Sequence, residues 1–173
     1  MEEIQIGPLA TDDEARACAA MMSTTDPWIT IGRTFEECLE IVREPTREVY
    51  VARRSGGEVR GFVIINMRGA FIGYIQILCV AVDARGTGLG TQLIRFSEER
   101  ILRETPNVFI CASSFNPRGR ALYERLGYEP VGMLKDYVIR GESELLLRKT
   151  IMSLREWQLS HDPSPGLRPP SPR

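Results

Sequence analysis

The sequence is poor in imidazole: its one histidine, His161, stands at the edge of a proline-rich stretch. A folded region without histidine excludes His-dependent nucleophilic triads and most zinc sites, so no metal is expected. No Gly-Lys pair occurs, which excludes a Walker-type phosphate loop. Charge of one sign is missing as well. Lys and Arg number 22 against 23 Asp and Glu, and this balance gives no electrostatic footprint for nucleic acid or a membrane surface. The most apolar stretch, Ala70 to Val82, is interrupted by Gln76 and falls short of the ~20 residues that cross a bilayer. Met1-Glu2-Glu3 is acidic where a secretory signal needs positive charge. Cys18, Cys38, Cys79 and Cys111 form no C-x-x-C pair and read as small buried residues in a reducing compartment. A cytoplasmic protein is expected.

What is present fits one ordinary globular domain: 173 residues, 43 % hydrophobic and 26 % charged. Ile4, Ile6 and Pro8-Leu9 predict a first strand. Thr11 with Glu14, and Thr34 with Glu37, have the spacing of capping boxes, so helices are expected to about Met22 and to just before Pro45. Ser23 to Arg33 reads as a loop. Glu48–Arg53 and Val59–Met67 form a hairpin around Ser55-Gly56-Gly57-Glu58, and Phe71–Val82 reads as a long central strand. A helix from about Gly88 to Arg103, a strand at 108–112, a helix from Pro117 to Leu126 ended by Gly127, and strands at 128–134 and 144–149 complete the order. Hairpins mixed with crossover helices predict an α/β (α+β) domain with a mixed sheet and helices on both faces. It is expected over 1–155, with a flexible Pro-rich tail over 156–173.

Arg85-Gly86-Thr87-Gly88-Leu89-Gly90 follows an apolar strand and opens a helix. The free N–H groups and positive dipole end of such a terminus suit phosphate, and glycines let it approach the backbone. A dinucleotide fingerprint, G-x-G-x-x-G, fails at Thr91. The pattern [RQ]-x-x-G-x-[GA] is filled by Arg85, Gly88 and Gly90.

The stretch Leu78 to Gly90 resembles the acetyl-coenzyme A motif of the GNAT superfamily of N-acetyltransferases. Asn116-x4-Ala121-Leu122-Tyr123-Glu124-Arg125-Leu126-Gly127-Tyr128 resembles that family's second cofactor motif. For these core motifs the bacterial ribosomal-protein N-terminal acetyltransferases are the nearest comparison. The resemblance implies a mostly antiparallel sheet of six to seven strands and transfer of acetyl from acetyl-CoA directly to a primary amine, without a metal. It places the pantetheine arm along Leu78 and Val80, the pyrophosphate on Arg85, Gly86, Thr87, Gly88, Leu89, Gly90 and Thr91, and a coenzyme contact at Asn116. Tyr123 matches the tyrosine that protonates the leaving thiolate. Homodimers are common in the family.

Two parts of the chemistry stay open in the sequence. N-terminal acetyltransferases of the family often carry a Glu or His at the position filled here by Cys111, and Tyr74 falls where other members carry the base on the preceding strand. The resemblance thus implies Tyr74 ordering a water that takes the proton, on one strand face shared with Gln76, Leu78 and Val80. The acceptor groove is expected from Trp28, Ile29 and Phe35 on one side and Met133, Lys135, Asp136, Tyr137 and Glu142 on the other. A protein N-terminus and a small-molecule amine are both compatible with it. The alternative from another class is a non-catalytic acetyl-CoA sensor or interaction module.

Overall fold

A computed structural model describes residues 4–161, and the proline-rich stretch beyond them lies outside the described residues. The elements run β1 (Ile4–Pro8), α1 (Asp12–Ser23), α2 (Trp28–Ile31), α3 (Phe35–Arg43), β2 (Glu48–Arg54), β3 (Val59–Asn66) and β4 (Tyr74–Val80). They continue with α4 (Leu89–Ile101), β5 (Asn107–Ser113), α5 (Pro117–Arg125), β6 (Glu129–Lys135), β7 (Ser143–Thr150) and α6 (Leu154–His161). One seven-stranded sheet has the order β1-β2-β3-β4-β5-β7-β6. Every neighbouring pair is antiparallel except β4 and β5. The mixed, mostly antiparallel sheet expected from the sequence is therefore present.

Both capping boxes form. The Thr11 hydroxyl accepts from the Glu14 N–H and that of Thr34 from the Glu37 N–H, while each glutamate reaches back to its cap. Polar and apolar positions then segregate. Ala15, Cys18, Ala19 and Met22 of α1, with Cys38, Leu39 and Val42 of α3, cover Val51, Phe62, Ile64, Ile77 and Cys79. On the other face Leu93, Ile94 and Ile101 of α4 and Tyr123 of α5 cover Val63, Ile65, Ile75, Ile110 and Leu147. All four cysteines are free thiols; burial pushes Cys18 and Cys79 up to about 12, so both are inert packing residues. Among the described residues no helix is long and apolar enough to cross a membrane.

Three expectations need correction. The central strand begins only at Tyr74, because Gly73 takes φ +88° and turns the chain, leaving Phe71 and Ile72 exposed. At its other end Val82 starts a single 3-10 turn over Val82–Ala84. The segment after α1 contains the short helix α2, which Pro27 can open and Gly32, at φ +78°, ends. Helix α6 crosses the expected boundary at 155. Its start is another reciprocal cap, with Ser153 N–H donating to Glu156 and Glu156 N–H to Ser153.

Glu14 also ties α1 to β2. Its carboxylate takes a hydrogen bond from Arg53 Nη2 at 2.8 Å and from the Ala10 N–H at 2.7 Å. Arg53 first, helped by the Ala10 and Thr11 N–H groups, holds this carboxyl down at about 2, against 4.5 for a free glutamate. A depressed folded value stabilises the protein above the unfolded value and is lost as pH falls from about 4.5 towards 2. Over that window Glu14 is expected to account for about 2 kcal/mol of lost stability, after a discount for solvent screening of the partly exposed pair. Urea midpoints at pH 6 and pH 2.5 test this: Glu14→Gln should be less stable at pH 6 and lose less on acidification. Equal pH dependence in both proteins would refute the assignment.

Candidate active site

Strands β4 and β5 pair only at Tyr74–Phe109 and Ile75–Ile110. Beyond these two rungs a cleft of about 480 Å³ lies between them, lined by residues that include Gln76, Leu78, Cys111, Ser113, Asn116 and Tyr123. Trp28, Ile31 and Tyr137 line it as well. A second cleft, of about 500 Å³, opens between α1, α3 and β2 and holds none of the motif residues.

A bulge on β4 corrects the expected alternation. Ile77 faces Ile64 and Ile75 faces Ile65, so one residue, Gln76, is skipped on the β4 side. Ile75 therefore joins the α4 layer and Ile77 the α1/α3 layer, although they are two apart. Leu78 and Val80 pack towards α4, whereas alternation from Ile75 puts Tyr74 on the α1/α3 side. The four residues thus do not share one strand face, yet Tyr74, Gln76 and Leu78 all reach the cleft because it lies in the sheet's own gap. Gln76 Oε1 is buried there with no hydrogen-bond partner among the described residues.

The glycine loop is built to leave donors free. Gly86 and Gly88 take φ +81° and +91°, conformations that side chains resist, and a Cβ at either would meet nothing within 4 Å. Gly88 is the N-cap of α4 and, unlike Thr11 and Thr34, offers no side-chain cap. The first N–H groups of α4 have no intrahelical partner, so they and the helix dipole face outward from an exposed loop. This donor set fits a pyrophosphate. Arg85 Nε donates to the Val80 carbonyl at 3.2 Å, and the Thr87 hydroxyl to the Ala84 carbonyl at 2.8 Å, so these side chains brace the turn. Leu89 is buried in the core, which leaves its backbone as the part available to a ligand. Gly90 and Thr91 follow in the first turn of α4.

At the second motif the Asn116 Oδ1 accepts from the Gly119 N–H at 3.0 Å and caps α5, so this side chain has a structural task as well as a place on the cleft wall. Tyr123, 6 % exposed, projects from α5 into the cleft. Burial, then the nearby Cys111 and Glu144, push its phenol well above the usual range, and it stays protonated at neutral pH. Tyr74 is raised likewise, by burial and then by the Cys111 sulfur.

Of the expected acceptor residues, Trp28 and Tyr137 line the cleft. Ile29 and Met133 are exposed elsewhere, and Phe35 packs against the α1/α3 layer. Lys135 does not line the cleft, and Asp136 closes the β6–β7 turn by accepting from the Gly141 N–H at 2.6 Å. Glu142 holds the Ser114 hydroxyl. Sequence reasoning missed Ser113 and Glu144 as cleft residues. They meet through the β5–β7 register, which no local pattern encodes.

Residues 45–130 match the family model described as Acetyltransferase (GNAT) domain. The chain is 28 % identical over 104 residues to a blasticidin-S acetyltransferase of Streptomyces morookaense, covering 59 % of this chain and 76 % of that protein. Its fold is similar to that of an aminoglycoside 6'-N-acetyltransferase complexed with coenzyme A, with TM-score 0.71 and 18 % identity over 86 % of this chain and 98 % of that one. An aminoglycoside 6'-acetyltransferase type Ii superposes with TM-score 0.69 and 21 % identity over 86 % of this chain and 98 % of that one. With its seven-stranded sheet parted between β4 and β5 and its uncapped glycine turn, this chain has the GNAT-superfamily acetyltransferase fold.

Proposed function

We propose that the protein is an acetyl-CoA-dependent N-acetyltransferase acting on a small-molecule primary amine. The observation that carries this reading is one cleft in which the parted strands and the Tyr123 phenol meet, with the free N-terminus of α4 following β4 in the chain. Acetyl-CoA supplies the acetyl group as a thioester. The N–H groups from Gly86 to Thr91 hold the pyrophosphate, and the Leu78 and Val80 backbone pairs with the pantetheine arm. A backbone donor at Leu78 steadies negative charge on the carbonyl oxygen, where a dry site makes such a donor most effective. Tyr123 keeps a proton for the departing sulfur, and Tyr74 orients a water beside the amine. None of these steps calls on a metal.

Two observations favour a small acceptor over a protein N-terminus. The cleft, about 480 Å³, has the size of a small-molecule pocket and is walled by Trp28, Ile31 and Tyr137. The blasticidin-S and aminoglycoside acetyltransferases above act, by their names, on small molecules. The ribosomal-protein comparison rests on the core motifs alone.

The test is thiol release from acetyl-CoA with a panel of amines (blasticidin S, an aminoglycoside, a polyamine) beside N-terminal peptides. Release that depends on a small amine is the expected result. Release with peptides alone would replace the acceptor class. Silence across the panel, with acetyl-CoA bound, would favour the non-catalytic sensor.

A further inference from the structure

Glu144 is the one carboxylate among the described residues lining the cleft. It stands on β7 opposite Ser113 of β5 and is 7 % exposed. The Ser113 hydroxyl donates to its Oε1 at 2.5 Å. The groups that face it are Tyr74 from β4, Cys111 and Ser113 from β5, Tyr123 from α5 and Tyr137 from the β6–β7 turn. Its β6 partner is Leu134, and Arg33 is the cation on the cleft's lining. No ion pair to Glu144 forms among the described residues. A buried carboxylate without a cation is expensive, and an apolar side chain there would pack against Leu134 at less cost. Such a group in a cleft calls for a chemical role.

The neighbours cannot take a proton. Burial raises the Tyr74, Cys111 and Tyr123 acids above their ordinary values, so each remains protonated at neutral pH. Glu144 is also raised, by burial and against the pull of the Ser113 hydroxyl, which makes it a stronger proton acceptor than an ordinary carboxylate. The unpartnered Gln76 Oε1 adds a second acceptor in the same cleft. A Gln76 oxygen with no donor, beside a carboxylate held by a single hydroxyl and no cation, favours a ligand that brings N–H groups.

We propose that Glu144, held by Ser113, is the general base that deprotonates the acceptor ammonium, through the water that Tyr74 orients, while Gln76 Oε1 receives one N–H of the same amine. This rests on the acetyltransferase reading above. The ammonium gives one proton to the Glu144 carboxylate and becomes a neutral amine. Its nitrogen forms the bond to the acetyl carbon as the carbon–sulfur bond breaks. Sulfur takes the Tyr123 proton, the nitrogen's second proton restores Tyr123, and Glu144 returns its own to solvent.

The experiment is the pH profile of kcat/KM for acetyl-CoA with the panel amine that releases thiol fastest. Wild type should show an acid limb above the ordinary carboxylate range, separate from the amine's own ionisation at higher pH. Glu144→Gln keeps the shape and a Ser113 partner; it should lose that limb and run at least about tenfold slower at pH 7. Its calorimetric affinity for acetyl-CoA should stay within twofold. Ser113→Ala should move the limb to higher pH, because the carboxylate loses the donor that stabilises it. A merely structural glutamate would leave the limb in place in both variants, and that result overturns the proposal. If Glu144→Gln fails to fold, the Ser113→Ala limb decides alone. Amine-dependent release unaltered in Glu144→Gln would remove the base and leave the acetyltransferase reading standing. No release by wild type with any amine would remove both.

Discussion

Tyr123→Phe is expected to lower kcat about a hundredfold while the melting temperature moves by no more than about two degrees. The ring is packed beside Tyr128, with ring centroids 6.2 Å apart, and phenylalanine preserves that contact. What disappears is a phenol on the cleft wall that burial keeps protonated throughout the assay range. Proton donation in the rate-limiting step is commonly worth 10²–10⁴-fold. The lower end applies because a thiolate, of thiol pKa about 8.5, is a fair leaving group without help. Steady-state kinetics with saturating amine give the answer. A kcat that falls with an unchanged KM for acetyl-CoA marks a group used in the reaction and not in binding. An unchanged kcat would mean that the thiolate leaves unassisted and that Tyr123 is a packing residue.

Gly73→Ala is expected to cost at least about 3 kcal/mol, or roughly 10 °C of melting temperature for a chain of this size. Gly73 sits at φ +88°, and a Cβ there would stand 2.5 Å from the Asn107 carbonyl oxygen and 2.6 Å from Ile101 Cγ2. The left-handed backbone alone costs an alanine about 1–2 kcal/mol, and backbone on backbone overlap cannot be relieved by a rotamer change. The same glycine donates to the Asn66 carbonyl at 3.2 Å and accepts from the Phe109 N–H at 2.9 Å, so it fixes the joint between β4 and β5. Gly86→Ala is the control. Gly86 has φ +81° in open space, so its replacement should cost only the backbone preference, about 1–2 kcal/mol. Thermal and urea denaturation of the two variants separate overlap from conformational cost. Equal losses would show that the contact with Asn107 relaxes freely.

These effects bear on what the sequence discloses. The starts of α1 and α3 were legible because a capping box is a local device, contained within four residues. The start of β4 was not, since a β-branched and aromatic run looks continuous until the backbone of Gly73 is known. The bulge at Gln76 depends on how β3 pairs with β4, and it turned the parity argument for Tyr74 around. Helix α6 had a readable cap in Ser153 and Glu156 that the neighbouring prolines obscured. The glycine turn was legible as a strand-to-helix junction and Tyr123 through motif resemblance, and the structure puts Tyr123 on the cleft wall and the turn at the uncapped start of α4. Glu144 carries no motif. Its meeting with Ser113, thirty-one residues away, is a product of strand register.

The two-rung joint between β4 and β5 divides the chain into inheritable blocks. All the antiparallel ladders close within one side or the other: β1 to β4 before residue 81, and β5 to β7 after residue 106. Tyr74, Gln76 and the aromatic wall of Trp28 belong to the first block and Ser113, Tyr123, Tyr137 and Glu144 to the second, while the glycine turn lies on the crossover between them. Exchanging the second block between related chains would transplant one wall of the cleft and replace only the two β4–β5 rungs of the sheet. One wall of the cleft can thus change while the other wall and the glycine turn at the start of α4 are passed on unaltered.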